Sequence, residues 1–149
     1  MILFFDTETS GLPKDWNAPV SELDNWPRLV QIAWILCDYK GNRIESEDFI
    51  IIPESFEIPK ESTKVHGIST QKALNEGISL NIVLNRFNSL IEKSDIIVAH
   101  NIAFDEKIIG AEFLRKGITS ILDDKRKLCT MKSSTDFCKI PGNYGYKWP

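Results

Sequence analysis

The sequence is short of several features that would indicate common classes of protein. It has no apolar run near the ~20 residues that a membrane-spanning helix needs, and no basic leader precedes its first apolar residues. Its three cysteines are odd in number and widely spaced, which argues against a disulfide framework or a cysteine-rich zinc site. We therefore expect a cytoplasmic protein with reduced thiols in its core and no membrane association.

Positive charge is also scarce. The 18 lysines and arginines are outnumbered by 21 aspartates and glutamates, which gives a formal net charge of −3. This balance argues against a protein that holds duplex DNA through many phosphate contacts. It does not exclude an enzyme that grips one strand end, because bound metal ions would supply local positive charge. Motifs of P-loop proteins, serine hydrolases and zinc proteases are absent from the sequence.

The most informative stretch is the start of the chain. The apolar run Ile2–Phe5 is typical of a buried strand, and Asp6 and Glu8 follow it. Because successive side chains on a strand point to opposite faces, these carboxylates should share one face, with Thr7 on the other. Neighbouring carboxylates are best tolerated with a cation between them, and oxygen ligands favour Mg²⁺ or Mn²⁺. An isolated Asp-x-Glu pair usually ends in solvent, so a metal site here requires a third carboxylate.

The rest of the pattern predicts one α/β domain over residues 1–149, with a mixed central sheet, an antiparallel hairpin and flanking helices. The expected elements follow in chain order. The first half has a surface segment at 14–27, with Trp16 and Trp26 covering the core, and strands at 29–36 and 43–52 that form the hairpin. Short helical structure at 62–76, a helix over 80–91 capped by Ser79, a strand at 95–99 and a helix ending at Gly117 come next. The chain then has a solvated charged loop at 123–127, an edge strand at 128–131 and a loop at 141–149.

The third carboxylate is supplied by Asp105. The strand at 95–99 follows a helix, and such a crossover makes it a parallel neighbour of the first strand. Parallel strands end on the same side of a sheet, so Asp6 and Asp105 should both lie just past a strand end and meet there with Glu8. Carboxylates that bridge two divalent ions about 3.5–4 Å apart carry out phosphodiester hydrolysis. The spacing therefore favours metal-dependent phosphoryl transfer or hydrolysis.

Two segments resemble motifs of the DEDD, or DnaQ-like, 3′→5′ exonucleases. Residues 5–12, FDTETSGL, look like the first motif, and residues 99–105, AHNIAFD, look like the second. Between them, residues 65–68, VHGI, are similar to a segment of the proofreading ε subunits of bacterial DNA polymerase III. The resemblance implies a ribonuclease H-like fold. It also implies release of nucleoside monophosphates from the 3′ end of a single strand, expected to be DNA, with two Mg²⁺ or Mn²⁺ ions.

The resemblance also implies roles for individual residues. Asp6, Glu8 and Asp105 would be the catalytic metal ligands. The residues expected to hold the terminal nucleotide are Thr7, Thr9, Gly11, Leu12, His66 and Phe104. Core packing is an equal alternative for Phe104, and for His100 we favour a structural, hydrogen-bonded role over a catalytic one.

One departure from the family pattern concerns the end of the chain. The resemblance implies a fourth carboxylate and a histidine base on a final helix, yet no histidine follows His100. We therefore expect an exonuclease domain that lacks its C-terminal helix and third motif and is impaired as it stands. The alternatives are a module that binds a strand end without cutting it and an RNA exonuclease similar to oligoribonuclease or RNase T. A DNA polymerase or replication complex is a further expected partner.

Overall fold

A five-stranded sheet, in the order β3-β2-β1-β4-β5, forms the centre of the computed structural model, which describes residues 1–149. The strands are β1 (Ile2–Thr9), β2 (Leu29–Cys37), β3 (Arg43–Ile50), β4 (Ile96–Ala99) and β5 (Arg126–Cys129). The helices are α1 (Lys60–His66), α2 (Thr70–Glu76), α3 (Leu80–Lys93), α4 (Ile102–Lys116) and α5 (Thr130–Cys138). A 3₁₀ turn spans Leu23–Asn25, and a small separate hairpin joins β6 (Pro141–Gly142) to β7 (Gly145–Tyr146).

The strand pairing confirms the predicted mixed sheet. β1 and β3 each pair antiparallel with β2, and β4 runs parallel to both β1 and β5. The pairing between β1 and β4 covers only Ile2 to Phe4, whereas the pairing between β1 and β2 continues to Thr9. Beyond Phe4, the edge of β1 that faces β4 therefore has no strand partner.

The main core lies between one face of the sheet and helices α3 and α4. Leu3 and Phe5 of β1 point into it, and Phe87 of α3 packs against Phe5 with ring centroids 5.2 Å apart and against Trp34 at 5.5 Å. The apolar positions predicted for the clearest helix are all buried: Leu80, Val83, Leu84, Phe87, Leu90 and Ile91. Since side chains alternate along β1, Asp6 and Glu8 lie on the opposite face from this core.

Helix boundaries differ from those predicted in the middle of the chain. The helical stretch expected at 62–76 is two helices, because Gly67 ends α1 in the left-handed conformation at φ 76°. Ser69 then begins α2, and its hydroxyl accepts a hydrogen bond from the backbone amide of Lys72 at 3.1 Å. Ser79 does precede α3 as predicted, but its side chain makes no capping hydrogen bond.

The last third of the chain departs further from the prediction. Arg126 and Lys127, predicted to lie in a solvated loop, belong to β5, which is the expected edge strand but begins and ends earlier. Parallel pairing with β4 and an ion pair between Lys127 and Glu106 at 2.9 Å outweigh the low strand propensity of this charged run. Helix α5 follows at once, and the expected loop at 141–149 contains the β6–β7 hairpin.

Two predictions about burial are only half right. Trp26 covers the core and is 3% exposed, whereas Trp16 is 51% exposed and is not a lid on the core. All three cysteines are free, but Cys138 is exposed while Cys37 and Cys129 are partly buried. No helix combines the length and apolar character needed to cross a bilayer.

Candidate active site

Asp6 and Glu8 lie side by side within β1. They face the same way, and Thr7 between them is buried in the other layer, as alternation along a strand predicts. The expectation that Asp6 lies past the end of its strand is wrong. β2 continues the ladder opposite both residues, with Asp6 paired to Ala33 and Glu8 to Gln31.

Asp105 reaches the free edge of β1 from helix α4. Asn101, in the left-handed conformation at φ 62°, turns the chain so that α4 begins directly after β4. This places the buried Asp105 in the first turn of the helix, where its Oδ1 accepts hydrogen bonds from Thr7. The backbone amide of Thr7 donates at 3.1 Å and its hydroxyl at 2.7 Å. Asp105 thus pairs with backbone that β4 is too short to reach.

The three carboxyl groups all hold protons more tightly than usual. Burial raises the pKa of Asp6, although the nearby His100 opposes the rise. Burial also raises the pKa of Glu8, and the neighbouring charge of Asp6 adds to the effect. For Asp105, burial raises the pKa to about 6 against the opposing hydrogen bonds from Thr7, and the charge of Asp6 contributes to the rise. In each case the loss of hydration on burial outweighs the hydrogen bonds and nearby charges that favour the ionised carboxylate.

The carboxylates fit a divalent cation only in part. No three His, Cys, Asp or Glu side chains converge closely enough to hold one ion, so the expected three-ligand cluster is not preformed. Oδ1 of Asp105 instead accepts the two hydrogen bonds from Thr7. Asp6 and Glu8 do fit, because they offer hard oxygen donors on one face and their raised pKa values would fall beside a cation.

A cavity of about 430 Å³ adjoins this acidic pair. It is lined by all six residues predicted to hold a nucleotide, Thr7, Thr9, Gly11, Leu12, His66 and Phe104, together with Glu8. The structure therefore brings these residues together around one space, and their contact with substrate stays a prediction. Because Glu8 belongs to both the acidic pair and the cavity wall, a molecule in the cavity would touch the carboxylate site.

His66 lines the cavity and has a ring nitrogen without a hydrogen-bond partner. Its Nδ1 accepts a hydrogen bond from the backbone amide of Ile68 at 3.1 Å. The neutral ring must then carry its proton on Nε2, and this atom is buried without a partner. A buried donor without a partner costs about 1–3 kcal/mol, which an oxygen acceptor on a ligand would offset.

Phe104 and His100 occupy different surroundings. Phe104 lines the cavity and also packs against the edge of the main core, so both interpretations of this residue describe part of its environment. His100 lies just after β4, with Nδ1 3.2 Å from Thr130 Oγ1 and Nε2 3.0 Å from the carbonyl oxygen of Pro149. These contacts agree with the structural role favoured for His100.

Three further cavity residues were given no role from the sequence, although Val65 lies in the VHGI segment: Glu61, Ser62 and Val65. All three belong to α1, and a helical spacing of four residues relates Ser62 to His66 and Glu61 to Val65. That spacing places each pair on one side of the helix. Extending the helical pattern backwards from His66 would have identified these residues.

Comparison with known proteins gives one family and several relatives. The RNase T family model, described as exonuclease, matches residues 3–142. A PolC-type DNA polymerase III of Mycoplasmopsis pulmonis (strain UAB CTIP) is 32% identical over 114 residues, which are 76% of this chain and 7% of that protein.

Two solved structures share the fold. Escherichia coli exonuclease I in complex with a dT13 oligonucleotide has a TM-score of 0.78 and 20% identity, over 99% of this chain and 33% of that one. The zinc-bound form of the E. coli exonuclease I complex with single-stranded DNA has a TM-score of 0.77 and 22% identity, over 97% of this chain and 32% of that one. The α/β fold is therefore the ribonuclease H-like fold of exonuclease I. The chain spans about a third of those chains and a small part of the polymerase.

Proposed function

The chain belongs to the RNase T family of exonucleases, and on that premise we propose that it removes nucleotides from the 3′ end of single-stranded DNA. The observation that supports the proposal most directly is the position of Glu8, which belongs both to the acidic pair and to the cavity wall. This carboxylate lies beside Asp6 on β1, and it also lines the cavity of about 430 Å³. A terminal nucleotide in the cavity would present its phosphodiester to the acidic pair.

Asp6 and Glu8 would hold the divalent metal ion, Mg²⁺ or Mn²⁺. Asp105 would complete the ligand set through Oδ2, because only its Oδ1 accepts the hydrogen bonds from Thr7. Bound divalent ions lower the pKa of an attacking water and stabilise the charge that develops on the leaving oxygen. His66 would donate through Nε2 to an oxygen of the nucleotide, and the apolar side chains of Leu12 and Phe104 would contact its base.

No residue within 1–149 is proposed as the general base. The only histidines are His66, which faces the cavity, and His100, which is hydrogen-bonded elsewhere. We propose that the fourth carboxylate and the base lie outside this set of residues and that the chain by itself is slow. A general base contributes on the order of 10²–10⁴-fold. The resemblance to a PolC-type polymerase makes a DNA polymerase the proposed partner, and a cytoplasmic location remains a prediction.

The test uses 5′-labelled single strands of DNA and RNA with Mg²⁺, with Mn²⁺, or without metal. We expect a ladder of products shortened one nucleotide at a time from the 3′ end, only with metal, and abolished in Glu8→Gln. Asp38→Asn, which alters an exposed turn, is the matched control and should behave as wild type. Internal nicks in circular single-stranded DNA as the main product would overturn the proposal. Preferred cleavage of RNA would show that the substrate is RNA and not DNA.

A second function, binding of a strand end without cleavage, is favoured by one observation. The three carboxylates do not form a preformed metal-holding group. In that case a strand with a free 3′ hydroxyl should bind more tightly than one with a 3′ phosphate, and no nucleotide should be released at any metal concentration. Release of nucleotide that Glu8→Gln abolishes would exclude this alternative.

A further inference from the structure

We propose that Trp16, which packs against Phe104, forms a second stacking site that holds the base next to the terminal nucleotide. This inference rests on the proposed function and extends it to a residue outside the cavity and outside the family motifs. The first observation is exposure: Trp16 is 51% exposed, whereas Trp26 in the same segment is 3% exposed. A large aromatic surface left in water beside a candidate site is typical of a binding surface.

The aromatic surface continues outwards from the cavity. Phe104 lines the cavity, and the ring of Trp16 packs against it with centroids 5.7 Å apart and an interplanar angle of 45°. Trp16 itself is not among the residues that line the cavity. A strand whose last nucleotide fills the cavity would therefore meet Trp16 with its next base. Every base has a planar face that can stack on an aromatic ring, so this site would tolerate any sequence.

Trp16 is held in place although it lies outside any helix or strand. Lys107 of helix α4 donates from Nζ to the carbonyl oxygen of Trp16 at 2.9 Å. On the other side, Asn25 binds the backbone of the preceding residue: its Oδ1 accepts from the amide of Asp15 at 2.7 Å, and its Nδ2 donates to the carbonyl at 2.9 Å. With its backbone held on both sides and its ring packed against Phe104, the Trp16 side chain has little conformational freedom to lose when a ligand binds.

Helix α4 carries three of the residues in this arrangement. Phe104, Asp105 and Lys107 lie within one turn of α4, so the cavity wall, the candidate metal ligand and the anchor of Trp16 form one rigid unit. Helix α4 therefore sets the position of Trp16 relative to Phe104 and Asp105. An exposed tryptophan that served only to cover Phe104 would not need this anchoring, because apolar contact alone would keep it there.

The test is a double-mutant cycle on binding. Trp16→Ala and wild type are each titrated, with Mg²⁺, against two thymidine oligonucleotides whose terminal linkage is a hydrolysis-resistant phosphorothioate. One is complete and the other has an abasic residue second from the 3′ end. Stacking of one base contributes about 5- to 150-fold in affinity. We expect the substitution and the missing base each to weaken binding within that range, and the two together to weaken it little further. Trp16→Phe should keep most of the affinity.

Three outcomes would overturn the inference. Independent, additive losses would show that Trp16 and the second base do not meet. Unchanged affinity of Trp16→Ala would show that the ring contacts no base. A matching loss of affinity for thymidine 5′-monophosphate would show that Trp16 only supports the cavity wall. Failure of wild type to bind any oligonucleotide would instead overturn the proposed function itself.

Discussion

Thr7 and Asp105 are joined by two hydrogen bonds, of 3.1 and 2.7 Å, across 98 residues of sequence. They connect helix α4 to the part of β1 that β4 does not reach. The carboxylate satisfies a backbone amide that would otherwise be buried without a partner. Asp105 is therefore a structural residue of the sheet edge as well as a candidate metal ligand.

Thr7→Val tests this connection. The substitution keeps the size and the backbone amide but removes the hydroxyl that donates to Asp105. Hydrogen bonds to charged groups contribute about 1.5–3 kcal/mol, so we expect a loss of that order in the free energy of unfolding, measured in urea at pH 7. Thr135→Val is the control, because its hydroxyl donates only to a carbonyl within α5. Equal losses in the two variants would contradict the assignment.

Ionisation of Asp105 should make the free energy of unfolding depend on pH. Its pKa is raised from 3.8 to about 6 in the folded protein, so the folded state binds the proton more tightly than the unfolded chain between these values. The free energy of unfolding should therefore fall as the pH rises from about 4 to above 6, by about 3 kcal/mol from this group.

Urea unfolding of metal-free protein at pH 4 and pH 7.5 measures that fall. Asp105→Asn keeps an oxygen acceptor for Thr7 but cannot ionise, so its stability should fall less over the same range. Burial raises the pKa of Asp6 and Glu8 in both proteins, so this part of the pH dependence is common to the two. The prediction fails if both proteins show the same pH dependence.

Metal binding should depend on the pair in β1. We expect Mn²⁺ to bind wild type weakly in calorimetry, because few protein ligands are in place and substrate phosphates usually complete such sites. Asp6→Asn should abolish the binding, and Asp38→Asn should not change it, since that residue lies in an exposed turn. Addition of thymidine 5′-monophosphate should increase the Mn²⁺ affinity of wild type. Equal binding by Asp6→Asn would remove Asp6 from the site.

The sequence was sufficient to predict the strand and the helix that carry the three carboxylates. Apolar strand runs and helical spacing predict β1, β2, β4, α3 and α4, and the crossover rule predicts the parallel pairing. The orientation of Asp105 towards Thr7 was not predictable, because it depends on how far β4 extends beside β1. Likewise, β5 begins in a charged run whose strand structure comes from pairing with β4 and from the Lys127 ion pair, which local propensity does not include.

Glu112 is another residue whose role is visible only in the structure. It is completely buried in α4, and its Oε1 accepts from Arg28 Nε at 2.8 Å and from the amide of Leu29 at 3.0 Å. The backbone of Arg28 in turn exchanges two hydrogen bonds with Ser10, each 2.9 Å, just before the Gly11 turn. Glu112 therefore holds the start of β2 and, through it, the turn beside the cavity.

Removal of the Glu112 carboxylate should lower the stability of the protein. Removal of one partner of a buried ion pair costs about 3–5 kcal/mol, and Arg28 would keep its contact with Glu54, so Glu112→Ala should reduce the free energy of unfolding by up to that amount in urea at pH 7. Glu112→Gln keeps an acceptor and should lose less. The control is Glu47→Ala, since Glu47 is 36% exposed and pairs with Arg86 near the surface, where such pairs contribute about 0–1 kcal/mol. If Glu112→Ala costs no more than Glu47→Ala, the buried pair does not hold this part of the fold.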